Sequence, residues 1–365
     1  MTVNRMGTRG LTCALAIAMI TLHSIFFSQR VGSSQIVGNL LTPSSNSKCL
    51  HHSPIDALTS KLKGFEPNDT VRIDQPTPSR CGKLRRRSLW TNRKLDQLTP
   101  LARSIVEHQN DCSNPVMTFP VDNDFGLGSH LYLWSQAFCN AWETGHRLVS
   151  NNPQWLWNDV TYCESGTPFE CYFGGMEASC PGEGALVNAV VTDPRQQSER
   201  CKLVQDKALL KQFRAASMEA IFRDVTELAI REAERQVGLL FPEATVPSNL
   251  IAVHLRWGDK FWEMDLAPIE EYIAAIKRMA NDSEVVHIYL ACEDPKAVKQ
   301  FVAQAPDQWN IYIDRIIPEL SIARPSKGNR ASWLSRNTKG RSGLMSVASL
   351  LISLEADRWQ LYNYD

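Results

Sequence analysis

The sequence carries no net charge: 39 lysines and arginines offset 39 aspartates and glutamates over 365 residues. That balance argues against a protein held to nucleic acid by bulk charge and leaves only local basic patches to consider. No internal repeat organises the chain. No pair among the ten cysteines has zinc-ribbon spacing, so a structural zinc of that kind is not expected. A complete phosphate-binding signature is also missing. Gly126-Leu127-Gly128 precedes an expected helix but lacks the third glycine of a dinucleotide fingerprint and the lysine of a P-loop. What is abundant is apolar: 43 % of residues, enough for a globular core and too much for a mostly disordered chain.

Charge is locally absent from Leu11 to Phe27. As a helix this run would span about 26 Å, the thin end of a bilayer core. Arg5 and Arg9 precede it and only Arg30 follows closely, so the positive-inside bias keeps the N-terminus cytosolic. The expectation is a signal anchor with the bulk of the chain in the secretory lumen. A cleaved signal peptide is the alternative, because small residues follow at Gly32 to Ser34. Cys13 lies in the run. The other nine cysteines, Cys49, Cys81, Cys112, Cys139, Cys163, Cys171, Cys180, Cys201 and Cys292, are expected to pair in an oxidising lumen with at least one left over. Cys163, Cys171 and Cys180 look like a stapled loop. Two glycosylation sequons, Asn68-Asp69-Thr70 and Asn281-Asp282-Ser283, agree with a lumenal chain.

Residues 28–100 read as a stem rich in Ser, Pro, Asn and Thr. Its basic run, Lys83-Leu84-Arg85-Arg86-Arg87, reads as a solvated tether. From about residue 101 the pattern becomes globular. A strand near Val116 to Val121 leads through the Gly126/Gly128 loop into a helix with Leu133, Ala137, Phe138 and Ala141 on one face. Asp206 to Val237 reads mostly as one long helix stopped by Gly238. After Pro247, strands at Leu250–Leu255, Val285–Ala291, Ile311–Ile313 and Trp359–Tyr362 alternate with helices at Pro268–Ala280, from Pro295, and at Ser342–Leu354. Such alternation implies a parallel α/β sheet of the Rossmann kind.

In open α/β sheets, ligands bind beyond the carboxyl ends of strands. Two strand ends carry chemistry: His254-Leu255-Arg256-Trp257-Gly258-Asp259-Lys260, and Leu290-Ala291-Cys292-Glu293-Asp294-Pro295. An arginine there suits a bidentate phosphate contact and a carboxylate suits a general base. The same residues could form a salt-bridged loop, with Asp294 as a helix N-cap. The Gly126/Gly128 amides at a helix N-terminus suit a phosphate, or simply make a turn. Arg324, Lys327, Arg330, Arg336, Lys339 and Arg341 form an acid-free stretch, read as a solvated loop or a mobile loop near a diphosphate. Trp155, Trp157, Trp257 and Trp262 could stack on sugar rings or fill the core.

The first strand end, followed by Ala267-Pro268-Ile269-Glu270-Glu271-Tyr272, resembles the signature of α1,6-fucosyltransferases. Tyr289 to Pro295 and the helix Gly343 to Asp357 are similar to that family's second and third motifs. The resemblance, over about residues 110–365, implies an α/β, GT-B-like enzyme of two Rossmann-like domains behind the membrane anchor and disordered stem. The acceptor-side domain would be 101–246 and the GDP-sugar domain 247–365, the latter possibly truncated as read. It implies GDP-fucose as donor, a glycoprotein or N-glycan as acceptor, inversion, no metal, no cofactor and no nucleic acid, in a single-pass type II Golgi membrane protein. Arg256 would hold the β-phosphate, His254 would contact the nucleotide, and Gly126 and Gly128 would offer amides to the diphosphate. Glu263 would be the base, with Asp265 as its rival and Lys260 beside it. Asp259 would belong to the same catalytic strand end, and Glu293 and Asp294 would line the sugar or acceptor side. Three positions depart from the family: Trp257 replaces an arginine, Ser349 replaces the aspartate that reads guanine, and Arg358 to Asp365 lack the family's Ser/Thr-rich phosphate loop. Those departures favour a second reading, a non-catalytic GDP-sugar-binding protein; the nearest enzyme alternative is a protein O-fucosyltransferase or other nucleotide-sugar transferase.

Overall fold

The computed structural model describes residues 81–360 apart from 124, 153, 164–167, 176, 178–179, 181–189, 193–200, 258–264, 281–284, 317–319 and 321–329. The expected anchor, both sequons and the stem as far as residue 80 lie outside these residues. Among the described residues, no helix is long and apolar enough to cross a membrane.

Two parallel sheets form the framework. The first has strands β1 (Val116–Pro120), β2 (Arg147–Asn151) and β3 (Val190–Val191) in the order β2-β1-β3. The second has β4 (Leu250–Leu255), β5 (His287–Cys292), β6 (Asn310–Ile313) and β7 (Arg358–Gln360) in the order β6-β5-β4-β7. Every ladder is parallel. The central strand β4 is buried along both faces. Ile251, Val253 and Leu255 pack with helix α6 (Ile269–Met279) and helix α7 (Pro295–Gln304) on one side. Leu250 and Ala252 belong to the larger cluster on the other side. This two-sided burial is why the strand reads as an unbroken apolar run.

The remaining helices are α1 (Arg87–Trp90), α2 (Pro100–Asn110), α3 (Leu127–Glu143), α4 (Lys207–Phe222), α5 (Glu227–Leu240), α8 (Arg330–Asn337) and α9 (Arg341–Leu354). Helix α3 is buried all round from His130 to Ala141, so its expected one-sided face is part of a fully enclosed helix. The larger apolar cluster runs from α2 and α3 through α5 and α9 to Tyr289 of β5. One core therefore spans both sheets. Three disulfides between described residues staple the first half of the structure: Cys112–Cys180, Cys139–Cys201 and Cys163–Cys171. The expected cysteine loop exists, but Cys180 reaches back to Cys112 instead of pairing inside it. Cys292 keeps a buried thiol.

The long helix expected from Asp206 to Val237 is two helices. Asp206 caps α4 by accepting from the Ala208 and Leu209 amides at 2.9 and 3.1 Å. The break follows at Arg223–Thr226, where tertiary bonds outbid the helix. The Val225 amide donates to the Trp90 carbonyl and the Thr226 amide to the Tyr172 carbonyl. Gly238 is no stop; it lies buried inside α5, where the backbone of Gly82 presses so closely that a Cβ on Gly82 would stand 2.5 Å from the Gly238 nitrogen. The acid-free stretch is a loop only in part, because Arg330–Asn337 is helical.

The basic run is the largest difference. It is not a solvated tether but a clamp on the far end of the chain. Arg85 pairs with Glu355 at 3.7 Å and with Asp357 at 3.3 Å. Arg86 pairs with Asp357 at 3.0 Å and donates to the Leu354 carbonyl at 2.7 Å. Arg87 reaches Glu227 and Glu234 of α5 at 2.6 and 2.7 Å. Glu355 is fully buried; burial raises its pKa, and the Trp90 indole, the Arg86 amide and the two arginines oppose that rise. The folded region therefore reaches back at least to Cys81, well inside the expected stem.

Trp90 has no exposed surface and donates its indole N–H to Glu355 at 3.3 Å. Trp90→Ala should lower stability by about 3–5 kcal/mol, read as a shift in the urea midpoint. Removing the Cys139–Cys201 bridge, which joins residues 62 apart, should cost about 4 kcal/mol by chain entropy, read the same way on the Cys139→Ala/Cys201→Ala variant.

Candidate functional site

The carboxyl rim of the second sheet brings together residues from three strands. The register pairs His254 with Ala291 and Leu255 with Cys292, and Leu290 with Ile313. Asp314 follows β6 directly and donates its amide to the Leu290 carbonyl at 2.9 Å. His254, Ala291 and Asp314 thus form one row, with Arg256 and Glu293 just beyond it. His254 sits on the same side of β4 as Ala252, facing the larger core.

His254 is sensitive to its neighbours. Burial, and then the Arg256 guanidinium, push its imidazole down to about 4, while Glu293 pulls the other way. The ring is neutral at pH 7, with one N–H to donate and one nitrogen to accept. Arg256 is half-buried and has no carboxylate within 4 Å among the described residues. Glu293 is exposed. Asp294 caps α7, accepting from the Lys296 and Ala297 amides at 2.8 and 3.4 Å. Cys292 Sγ accepts from the Asp294 amide at 3.3 Å, which fixes the turn between Glu293 and that cap.

Beneath the rim lies a buried polar chain. Tyr289 and Ser349 hydroxyls are 2.8 Å apart, and Ser349 donates to the Asp314 carboxylate. Asp314 also accepts from the Ile316 amide at 2.8 Å. Burial, with Asp314 nearby, drives the Tyr289 hydroxyl well above its usual pKa. Ser349 thus sits beside a carboxylate that comes from β6, a neighbour no sequence spacing would have indicated. Trp257 packs against the second core and donates its indole N–H to the Ala267 carbonyl at 3.0 Å. At this position, where the related signature has a second arginine, the side chain pins the approach to α6.

The glycine loop belongs to the first sheet. Gly126 is the N-cap of α3 in an extended conformation, with no side-chain cap and no acidic residue in the first turn. Neither the cap residue nor the first turn itself therefore supplies a side-chain acceptor to those amides. Around it, the Trp157 indole donates to the Phe125 carbonyl at 3.1 Å and the Leu156 amide to Asn123 Oδ1 at 3.0 Å. His130 Nε2 donates to the Asp122 carbonyl at 2.9 Å. Trp155 and Trp157 are buried, which makes them core and loop supports rather than sugar platforms. Trp262 lies outside the described residues.

Of the site residues expected from sequence, His254, Arg256 and Glu293 stand together on one rim. Asp294 is on that rim with an oxygen engaged in its helix, and Gly126 and Gly128 are on the other sheet. Asp259, Lys260 and Glu263 lie outside the described residues, and Asp265 is exposed. Among the described residues, no cluster of His, Cys, Asp or Glu is suited to a metal ion. One carboxyl escaped the sequence reading. Glu177 accepts from the Ser150 hydroxyl at the end of β2, and burial pushes it up to about 8, so it is a neutral acid at pH 7. Its position after a glycine-rich, cysteine-stapled loop carried no periodic signal.

No protein-family model matches the chain, and no curated protein matches it. Fourteen chains of solved structures are similar in part, among them the following two. The fucosyltransferase NodZ from Bradyrhizobium aligns at 13% identity and a TM-score of 0.34, over 66% of this chain and 84% of that one. A NodZ alpha-1,6-fucosyltransferase soaked with GDP-fucose aligns at 14% identity and a TM-score of 0.33, over 65% and 84%.

The His254 resonances should stay those of a neutral ring as pH falls from 8 to 5, with a midpoint near 4. A midpoint near the ordinary 6.5 in an NMR titration would contradict the geometry. Because the folded state resists this proton while the unfolded chain accepts it below about 6.5, His254 should subtract stability progressively between those two values.

Proposed function

We propose that the protein is a glycosyltransferase that moves fucose from GDP-fucose to a glycan hydroxyl, with inversion and without a metal. The observation that carries the reading is the rim of the second sheet: Arg256, without a carboxylate partner among the described residues, beside a neutral His254 and the Glu293 carboxylate. The signature in which these residues lie supports the same reading. Transfer forms a bond between the acceptor oxygen and the anomeric carbon and breaks the bond from that carbon to the β-phosphate oxygen. The acceptor proton passes to a carboxylate, which the signature assigns to Glu263, with Asp265 as its rival; Lys260 would assist it, and Asp259 belongs to the same strand end. The departing electrons end on GDP, whose growing charge Arg256 would meet. His254 would hold the nucleotide as a neutral donor and acceptor, and the Gly126–Gly128 turn would offer amides to the diphosphate. Glu293 and Asp294 would face the sugar. An N-glycan acceptor, and a type II Golgi anchor presenting the domain to it, complete the proposal.

One observation favours a second reading, a GDP-sugar-binding protein without turnover. Ser349 and Trp257, which stand where the signature has an aspartate and an arginine, are both committed to internal bonds.

Release of GDP from GDP-fucose on an N-glycan acceptor, unaffected by a chelator, is the expected result. Arg256→Ala should lower kcat/KM by about 100- to 1000-fold. Thermal stabilisation by GDP without turnover would select the second reading, and unchanged binding and transfer in the variant would dismiss the site. A protein acceptor in place of a glycan would point to O-fucosylation.

A further inference from the structure

Helices α3 and α4 meet at a cluster in which donors outnumber acceptors. Arg214 of α4 donates from Nη2 to Tyr132 Oη at 2.8 Å and to Gln136 Oε1 at 3.1 Å. Its guanidinium carbon lies 4.4 Å from the centroid of the Tyr132 ring. Tyr132 and Gln136 are one turn apart on α3, and Gln136 has no exposed surface. Arg214 itself is half-buried.

The hydrogen bonds do not close. Tyr132 Oη and Gln136 Oε1 both act as acceptors toward Arg214, so the tyrosine proton and the glutamine amide protons remain to be placed. Gln136 Nε2 and Arg214 Nε are buried without a partner. Burial pulls the guanidinium pKa down, and the only group holding it up is Tyr132. Among the described residues, no carboxylate lies within 4 Å of this arginine. Elsewhere in the chain, Arg85, Arg86, Arg87, Arg93, Arg231 and Arg235 all pair with acids. Holding a partly desolvated cation with no counter-charge is unfavourable, and buried donors without acceptors add to that cost. Two donor groups, the tyrosine hydroxyl and the glutamine amide, beside one guanidinium without an acid define a demand for an oxyanion, which the planar fork of arginine is shaped to hold. The neighbouring end of α3 adds no competing acid, since its first turn has none.

We propose that Arg214, Tyr132 and Gln136 form a subsite for a single oxyanion, the sulfate ester or the carboxylate of an acidic sugar. It lies on the first sheet's side of the protein, apart from the Arg256 rim, and it does not depend on the fucosyltransferase reading. The guanidinium and the tyrosine hydroxyl supply the contacts, and the fully buried Gln136 holds Arg214 in place.

Thermal unfolding of the purified protein in sodium sulfate, sodium glucuronate and sodium chloride at matched ionic strength tests this. Sulfate stabilises most proteins non-specifically, so the comparison that counts is with Arg214→Met. Wild type should gain about 2–4 °C more than the variant at tenfold excess over the dissociation constant, and the gain should saturate. Tyr132→Phe should keep part of it, and Arg231→Met, which removes an exposed surface pair, all of it. The larger of the sulfate and glucuronate effects identifies the ester or the sugar acid. Equal shifts in wild type and Arg214→Met overturn the proposal. Should Arg214→Met fail to fold, calorimetric titration of wild type and Tyr132→Phe with each anion decides. Saturable heat in wild type that weakens in Tyr132→Phe supports the subsite, and its absence from wild type overturns it.

Discussion

The two-residue segment Trp157-Asn158 is the contact on which the rest of the site depends. Its indole supports the Phe125 carbonyl just before the glycine loop. Its backbone accepts the Tyr172 hydroxyl at 2.6 Å, next to the Cys163–Cys171 staple. Its carbonyls lie directly against the start of α9. A Cβ at Gly343 would stand 1.9 Å from the Trp157 oxygen, and one at Gly340, where φ is +82°, would stand 1.8 Å from the Asn158 oxygen. Only glycine permits this approach. The Ser335 hydroxyl and the Lys339 carbonyl bond to the same loop at Leu156 and Val160. Through one loop, therefore, the helix that carries Ser349 under the second rim is joined to the turn that opens α3 on the first sheet.

The second sheet was legible because its strands are buried on both faces. Leu250–Leu255 was read at its observed bounds, and the strands at β5, β6 and β7 were each displaced by no more than a few residues. Apolar runs punctuated by Pro268 and Pro295 leave little room for another assignment. The first sheet was far less legible. Of its three strands only β1 was anticipated. Arg147–Asn151 begins with an arginine and ends with an asparagine, and Val190–Val191 is too short for any period. The break inside the expected long helix was invisible for another reason. Thr226 and Val225 leave the helix to bond Tyr172 and Trp90, residues distant in sequence, and local propensity has no access to such partners.

The rim was legible as a list of side chains and not as an arrangement. His254, Arg256 and Glu293 follow from strand ends alone. That Asp314 comes to lie beside Ser349 depends on the β5–β6 register, and that Trp257 turns inward depends on the Ala267 carbonyl. Charge behaved likewise. The neutral total conceals an unequal use of arginine, with some side chains locked onto buried acids and others, such as Arg256 and Arg214, without an acid partner among the described residues. Composition counts those as equal; burial separates them.

The clamp of Arg85 and Arg86 on Glu355 and Asp357 has a consequence for how the chain is made. The hydrogen bond between Arg85 and Asp357 joins residues 272 apart in sequence, so a segment made early bonds to one made much later. Neither Glu355 nor the Trp90 pocket can be completed while the intervening helices are still being synthesised. At roughly 5–20 residues per second, that interval is on the order of tens of seconds. Throughout it, Arg85, Arg86 and Trp90 lack the Glu355 and Asp357 carboxylates that they meet in the folded protein. The clamp therefore closes only after all the segments between its two halves have been made.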